Sequence, residues 1–98
     1  MNEVYETEAF LRLYGASEKV EQQWIEKIKD QLKENLHVGQ PLRFDWFREK
    51  RFGGKRLYYL INESSKKAVL IAFGTKKEQQ SIINYILVNK ERFLKQIS

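Results

Sequence analysis

Side chains that do chemistry on phosphate crowd one short stretch of this chain. Arg43, Arg48, Lys50, Arg51, Lys55 and Arg56 flank only two carboxylates, Asp45 and Glu49, and Lys76 and Lys77 follow further along. Each lysine or arginine seated on a phosphate releases a condensed counterion, so such a density favours a polyanion, and nucleic acid is the first to consider. A guanidinium fork also matches two phosphoryl oxygens at once. The competing reading is a solvated, salt-bridged face with no ligand.

If these groups are catalytic, one reaction suits them. RNA carries its own nucleophile, the 2′-OH beside each phosphorus. A protein need only align it, accept its proton, stabilise the charged phosphorane and protonate the leaving 5′-oxygen. A lysine crowded by cations, or a glutamate among them, can carry the proton with a shifted pKa. DNA lacks the 2′-OH and is not cut this way.

Other chemistries lack their residues. His37 is the only histidine and there is no cysteine, so a Ser-His-Asp or Cys-His apparatus has little to build on. No pair of carboxylates stands out at metal-ligand spacing away from lysine partners, which argues against a zinc or two-metal site. No phosphate-cradling glycine motif occurs. No metal and no cofactor are expected.

The element that must position these groups is a β-hairpin. Trp46 to Phe52 and Lys55 to Ile61 are strand-like runs, and Gly53-Gly54 between them supplies the tight turn. On the second run Leu57, Tyr59 and Ile61 share one face, and Arg56, Tyr58 and Leu60 the other. Strands are expected at about 42–52, 55–63 and 67–74, the last apolar on both faces and therefore central. Val4 to Thr7 adds a short edge strand.

Two helices precede the hairpin. The first runs from near Glu8 to Gly15, a good terminator. The second, capped by Ser17, carries Val20, Trp24, Ile28, Leu32 and Leu36 every four residues, so Trp24 reads as core rather than recognition. A loop at His37–Pro41 leads into the sheet. At its far end Thr75 and Glu78 have the spacing of a capping box and open one terminal helix, whose apolar face is Ile82, Ile83, Ile86 and Phe93, running toward Ile97.

Charge divides along the same line. Residues 1–40 hold five basic and eight acidic groups, residues 41–98 thirteen and five, within a net charge of +5. The first half reads as scaffold or protein-contact surface, the second as the polyanion face. The length suits one domain, and no apolar run nears the ~20 residues that cross a bilayer. The acidic start has no signal-like core and cysteine is missing, so a soluble, cytoplasmic protein is expected.

The ordered set resembles the RelE/ParE superfamily of type II toxin–antitoxin toxins and is close to archaeal-type RelE-like sequences. The segments carrying the likeness are Pro41-Leu42-Arg43, then Phe47 to Leu60, then Val69 to Lys77. They are similar to a family pattern of an L-R-E-[KR] strand, a turn, [YK]-R-[LIV]-x-Y, and an apolar strand ending in Gly or Ser and basic residues. The resemblance covers the whole chain as a single domain, residues 1–98, and is strongest from Pro41 to Gln80. It implies an α+β fold: an antiparallel sheet of about four strands on an N-terminal helical hairpin, with a C-terminal helix.

It also implies roles on an open sheet face. Arg56 matches the arginine that holds the scissile phosphate, and Arg51 a basic position on the preceding strand. Lys76 falls where a basic residue assists the leaving group, and Glu49 could serve as base, as a glutamate does in related toxins. The two family lysines of the catalytic strand align with Phe47 and Glu49, one residue from Arg48 and Lys50. The terminal-helix tyrosine aligns near Ile82, with Tyr85 almost a turn later. Arg43, Arg48, Lys50, Arg51, Lys55 and Lys77 are the implied RNA contacts.

The function implied is an endoribonuclease toxin that cuts mRNA, with the ribosomal A site as the expected place, and that an acidic antitoxin silences. Two alternatives stay open: a ParE-like inhibitor of DNA gyrase with the same fold, and a basic RNA-binding module without chemistry. No membrane partner is expected.

Overall fold

A computed structural model describes all residues of the chain, Met1–Ser98. The Gly53-Gly54 turn sets the register of its sheet. Strand β3 (Phe47–Phe52) and strand β4 (Lys55–Asn62) pair antiparallel from Phe52 opposite Lys55 to Phe47 opposite Leu60. Gly53 takes φ +56° at no steric cost, which closes the two-residue loop. Strand β5 (Lys67–Thr75) pairs antiparallel with the other edge of β4. Strand β1 (Glu3–Glu6) lies parallel to β5, and the two-residue strand β2 (Gln40–Pro41) caps β3.

The result is a five-stranded sheet in the order β1-β5-β4-β3-β2. It is mixed rather than wholly antiparallel. The strand expected over 42–52 divides into β2 and β3, because residues between them form a tight excursion closed by the amide of Leu42 on the carbonyl of Phe47 at 2.8 Å.

Helix α1 (Glu8–Gly15) begins where Thr7 Oγ1 accepts the amide of Phe10 at 3.0 Å. Helix α2 (Lys19–Glu34) begins at Glu18, which forms a capping box with Glu21; Ser17 instead donates its hydroxyl to the carbonyl of Leu13. Both helices cover one sheet face. Phe10, Ile25, Ile28, Leu32 and Leu36 pack there on Leu57, Tyr59, Ile61, Ala68, Leu70 and Phe73, with Trp24 stacked on Phe52 at 4.8 Å. Val20 is 56% exposed, contrary to the expected stripe. At 3.6 residues per turn a strict four-residue spacing drifts about 40° per step, so Glu21 and Ile25 take the inward positions at that end.

The second face is covered as well. The capping box of Thr75 and Glu78 forms as expected, the amide of Thr75 donating to Glu78 Oε1 at 2.8 Å, and opens the short 3₁₀ turn Lys76–Glu78. Helix α3 (Gln79–Val88) and helix α4 (Lys90–Gln96) follow in place of one terminal helix. Asn89 makes the break: its backbone and side-chain amides both donate to the carbonyl of Tyr85. Ile86, Phe93 and Ile97 pack on Phe47, Tyr58, Leu60, Val69, Ile71 and Ala72. No helix is long and apolar enough to cross a membrane.

One irregularity matches side chains to these two cores. The β4–β5 register shifts between Tyr58 and Tyr59, which oppose Ala72 and Leu70. The extra residue, Ile71, lets Leu70 and Phe73 reach the same core although an uninterrupted strand would place them on opposite faces.

Candidate functional site

Strand alternation divides the basic residues of the hairpin between the two faces. Glu49 and Arg51 share the face of Tyr58 and Arg56, the residues opposite them on β4, while Arg48 and Lys50 share the face of Tyr59 and Leu57. The single basic stripe expected from the sequence therefore does not form. One side chain in two faces each way; no bulge in β3 brings Arg48 or Lys50 round, since its pairing with β4 is continuous from Phe47 to Phe52.

The face under α3 is open only at the hairpin tip, and a cluster sits there. Glu49 Oε2 stands 3.5 Å from Arg56 Nε, and Glu49 Oε1 stands 3.7 Å from Arg51 Nε. Gln79, the first residue of α3, donates its side-chain amide to Glu49 Oε2 at 3.2 Å. The Glu49 and Arg56 side chains are only 5% and 9% exposed, whereas Arg51 is 65% exposed. Arg56 thus does not project freely from an open face, because α3 covers more of the sheet than expected and its first turn lies over Gly74, the neighbour of Arg56 on β5.

Tyr58 lies on the same face, fully buried, its hydroxyl without a hydrogen bond. Its pKa is pushed up to about 12, first by burial and then by the charge of Glu49, against the opposing pull of Arg56. Lys76 and Lys77 are exposed beside the turn, the amide of Lys76 bonding the carbonyl of Gly54 at 3.2 Å. Neither pairs with a carboxylate within 4.0 Å; the nearby Glu78 is engaged by the Thr75 amide and hydroxyl, which hold its carboxyl below the usual range. No group of three or more His, Asp or Glu side chains is arranged to hold a metal ion.

The remaining candidates lie elsewhere. Arg48 is buried and structural: its guanidinium donates to the carbonyls of His37 at 3.2 Å, Gly39 at 3.1 Å and Asp45 at 3.4 Å, tying the loop after α2 to the sheet. Lys55 is on the α2 face, paired with Glu21 Oε2 at 2.7 Å and lying over the ring of Phe73. Lys50 lines a cleft of about 290 Å³ with Gly39, Gln40, Glu49 and Arg51 along the β2–β3 edge. Arg43 is exposed near the Phe47 end of β3, a full strand length from the turn. Tyr85 is not at the cluster. It packs on Phe93, receives Arg92 and shares a cleft with Thr7 and Arg12, because α3 runs from the hairpin toward the β1 side of the molecule.

Sequence reasoning missed Gln79 and Tyr58. Tyr58 was already assigned to the face of Arg56 by alternation, and Gln79 is the residue directly after the Thr75–Glu78 box, where a helix start faces the sheet end. Those were the available signals.

This architecture is a RelE-like α+β fold. No protein-family model and no curated protein matches the sequence. Among solved structures the chain is similar to the isolated E. coli RelE toxin, with a TM-score of 0.68 and 13% identity, over 87% of this chain and 99% of that one. It is likewise similar to a mutant of E. coli RelE in complex with a peptide of the antitoxin RelBc, with a TM-score of 0.69 and 11% identity, over 86% of this chain and 93% of that one. At such identities the likeness is one of fold.

Proposed function

We infer that this protein is the toxin of a toxin–antitoxin pair and that it acts as a metal-independent endoribonuclease on mRNA. The observation that carries this reading is the Glu49 carboxylate set between Arg51 and Arg56 toward the hairpin end of the sheet, with the main chain of Lys76 bonded to the Gly54 turn at that end. In the reaction Glu49 takes the proton of a 2′-OH. The 2′-oxygen bonds to phosphorus, the bond from phosphorus to the 5′-oxygen breaks, and Lys76 protonates that oxygen. The products are a 2′,3′-cyclic phosphate and a 5′-hydroxyl end. Arg51 and Arg56 offset the charge that builds on the phosphorane.

The antitoxin is an acidic segment that folds as it binds the basic second half of the chain. Support comes from the RelE-like fold, since one similar structure is a toxin–antitoxin peptide complex, and from the excess of basic groups after residue 40. Translating ribosomes, within the cytoplasm, are the expected source of substrate.

Mapping RNA ends after incubation with translating ribosomes, and with free mRNA, tests the reading. New 5′-hydroxyl ends inside codons are expected, in equal yield with EDTA once the ribosomes are kept intact by polyamines. Gyrase-linked DNA breaks with intact RNA would replace it by the ParE-like reading.

A further inference from the structure

Glu49 is placed in a way that proton transfer alone does not require. Its two oxygens face two different arginines, as two oxygens of one phosphate would bridge them. Both separations exceed the roughly 2.7–2.9 Å of a charge-assisted N–H···O bond. The carboxylate therefore neutralises the arginines without using their donors. Arg56 Nε is buried with no hydrogen bond, and so is the hydroxyl of Tyr58 on the same face. The hydrogen bond that Glu49 does receive comes from Gln79.

We propose that Glu49 is the resident occupant of a phosphate seat made by Arg56 and Arg51. A phosphodiester of single-stranded RNA binds by displacing it, and Gln79 is the positioning residue that latches it in place. This rests on reading the cluster as the RNA-cleaving site. A planar carboxylate tethered to β3 leaves the Arg56 Nε donor unmade. A tetrahedral phosphate, free to settle between the two guanidinium groups, can take a donor from each.

Displacement also frees Glu49 for the chemistry: released from between the two arginines, its carboxylate is available to accept the 2′-OH proton only when a phosphate is in the seat.

The test is binding of a uniformly 2′-O-methylated single-stranded RNA, which has no 2′-OH to attack, followed by fluorescence anisotropy over a salt series. The full chain is compared with Glu49→Gln and Gln79→Met. Glu49→Gln should bind about tenfold tighter, since the internal competitor is removed while the bulk is kept. Its plot of log K against log salt should steepen by about 0.7, because the site then offers the RNA one more net positive charge and the RNA releases one more of its condensed counterions. Gln79→Met should gain severalfold with an unchanged slope.

Equal or weaker binding by folded Glu49→Gln overturns the proposal. If that variant does not fold, the absence of any gain in Gln79→Met overturns it instead. Cleavage of unmodified RNA by the wild type separates the two readings. Cleavage without a binding gain removes the seat and keeps the nuclease, and a gain without cleavage does the reverse. No binding by any form removes both.

Discussion

Arg48 holds Gly39 against the sheet: its guanidinium donates to the Gly39 carbonyl at 3.1 Å, and Gly39 in turn lies against the carbonyl of Glu49 and the hydroxyl of Tyr59. A Cβ built on Gly39 would stand 2.4 Å from Glu49 O and 2.5 Å from Tyr59 Oη, and its φ of +81° is one that other residues rarely adopt. The backbone behind Glu49 is thus set from the opposite face of β3 by a contact only glycine permits.

Gly39→Ala should therefore cost about 3 kcal/mol of stability, the sum of a left-handed backbone and an overpacked contact with main chain. For a domain of this size that lowers the melting temperature by roughly 10–25 °C. Thermal unfolding followed by circular dichroism checks it, and a loss of only a degree or two would mean the loop is free to move away.

Arg48→Ala should also destabilise the protein by about 2 kcal/mol, because it removes a buried guanidinium and orphans the three part-buried carbonyls that it now serves. Arg48→Lys should not restore it, since an ammonium cannot span three carbonyls in one plane. Urea unfolding measures the cost. The salt slope of RNA binding should stay as in the wild type, whereas a shallower slope would return Arg48 to the phosphate contacts.

Much of this architecture was legible from local rules. The Gly53-Gly54 turn, the alternation of Leu57, Tyr59 and Ile61, the helix stop at Gly15 and the Thr75–Glu78 box each rest on a few neighbouring residues, and each is where those rules place it. What was hidden depends on distant contacts. Tyr58 and Leu60 are as apolar as Tyr59 and Ile61, so nothing local says that α3 and α4 cover their face and close in on Arg56. Arg48 and Arg51 look alike in sequence, yet one is buried under the 37–45 loop and the other stands mostly exposed beside Glu49. Parallel pairing of β1 and the break at Asn89 are equally outcomes of packing.

Acid should weaken the fold through two carboxyls. Lys55, by its hydrogen bond, holds the Glu21 carboxyl below its usual value near 4.5, and the Thr75 amide and hydroxyl do the same for Glu78. With folded values depressed, their stabilisation is complete above about pH 4.5 and is lost as pH falls through the folded values. Melting temperatures between pH 7 and pH 3 should fall less steeply in Glu21→Gln. A parallel fall in both proteins would show that Glu21 is not a source of the acid sensitivity.

Alkali should act through Tyr58 and Tyr59. Burial pushes both up to about 12, from an ordinary value of 10.0, so the unfolded chain releases these protons first. Stability is then intact below pH 10 and lost as the pH rises toward 12. Absorbance at the phenolate band should show these two titrating together with loss of the near-ultraviolet dichroism; titration near pH 10 in a folded protein would place both rings in contact with water.

The most direct measurement of the central claim is the rate of RNA cleavage by Arg51→Ala, read as 5′-hydroxyl and 2′,3′-cyclic phosphate ends. Arg51 is mostly exposed, so its loss should leave the melting temperature within a few degrees of the wild type. Loss of a donor aimed at the phosphorane costs about 3–4 kcal/mol, a drop of 10² to 10³ in rate. The expected result is that drop in a protein that still folds. Wild-type cleavage by folded Arg51→Ala would contradict the assignment of the Glu49–Arg51–Arg56 cluster as the site.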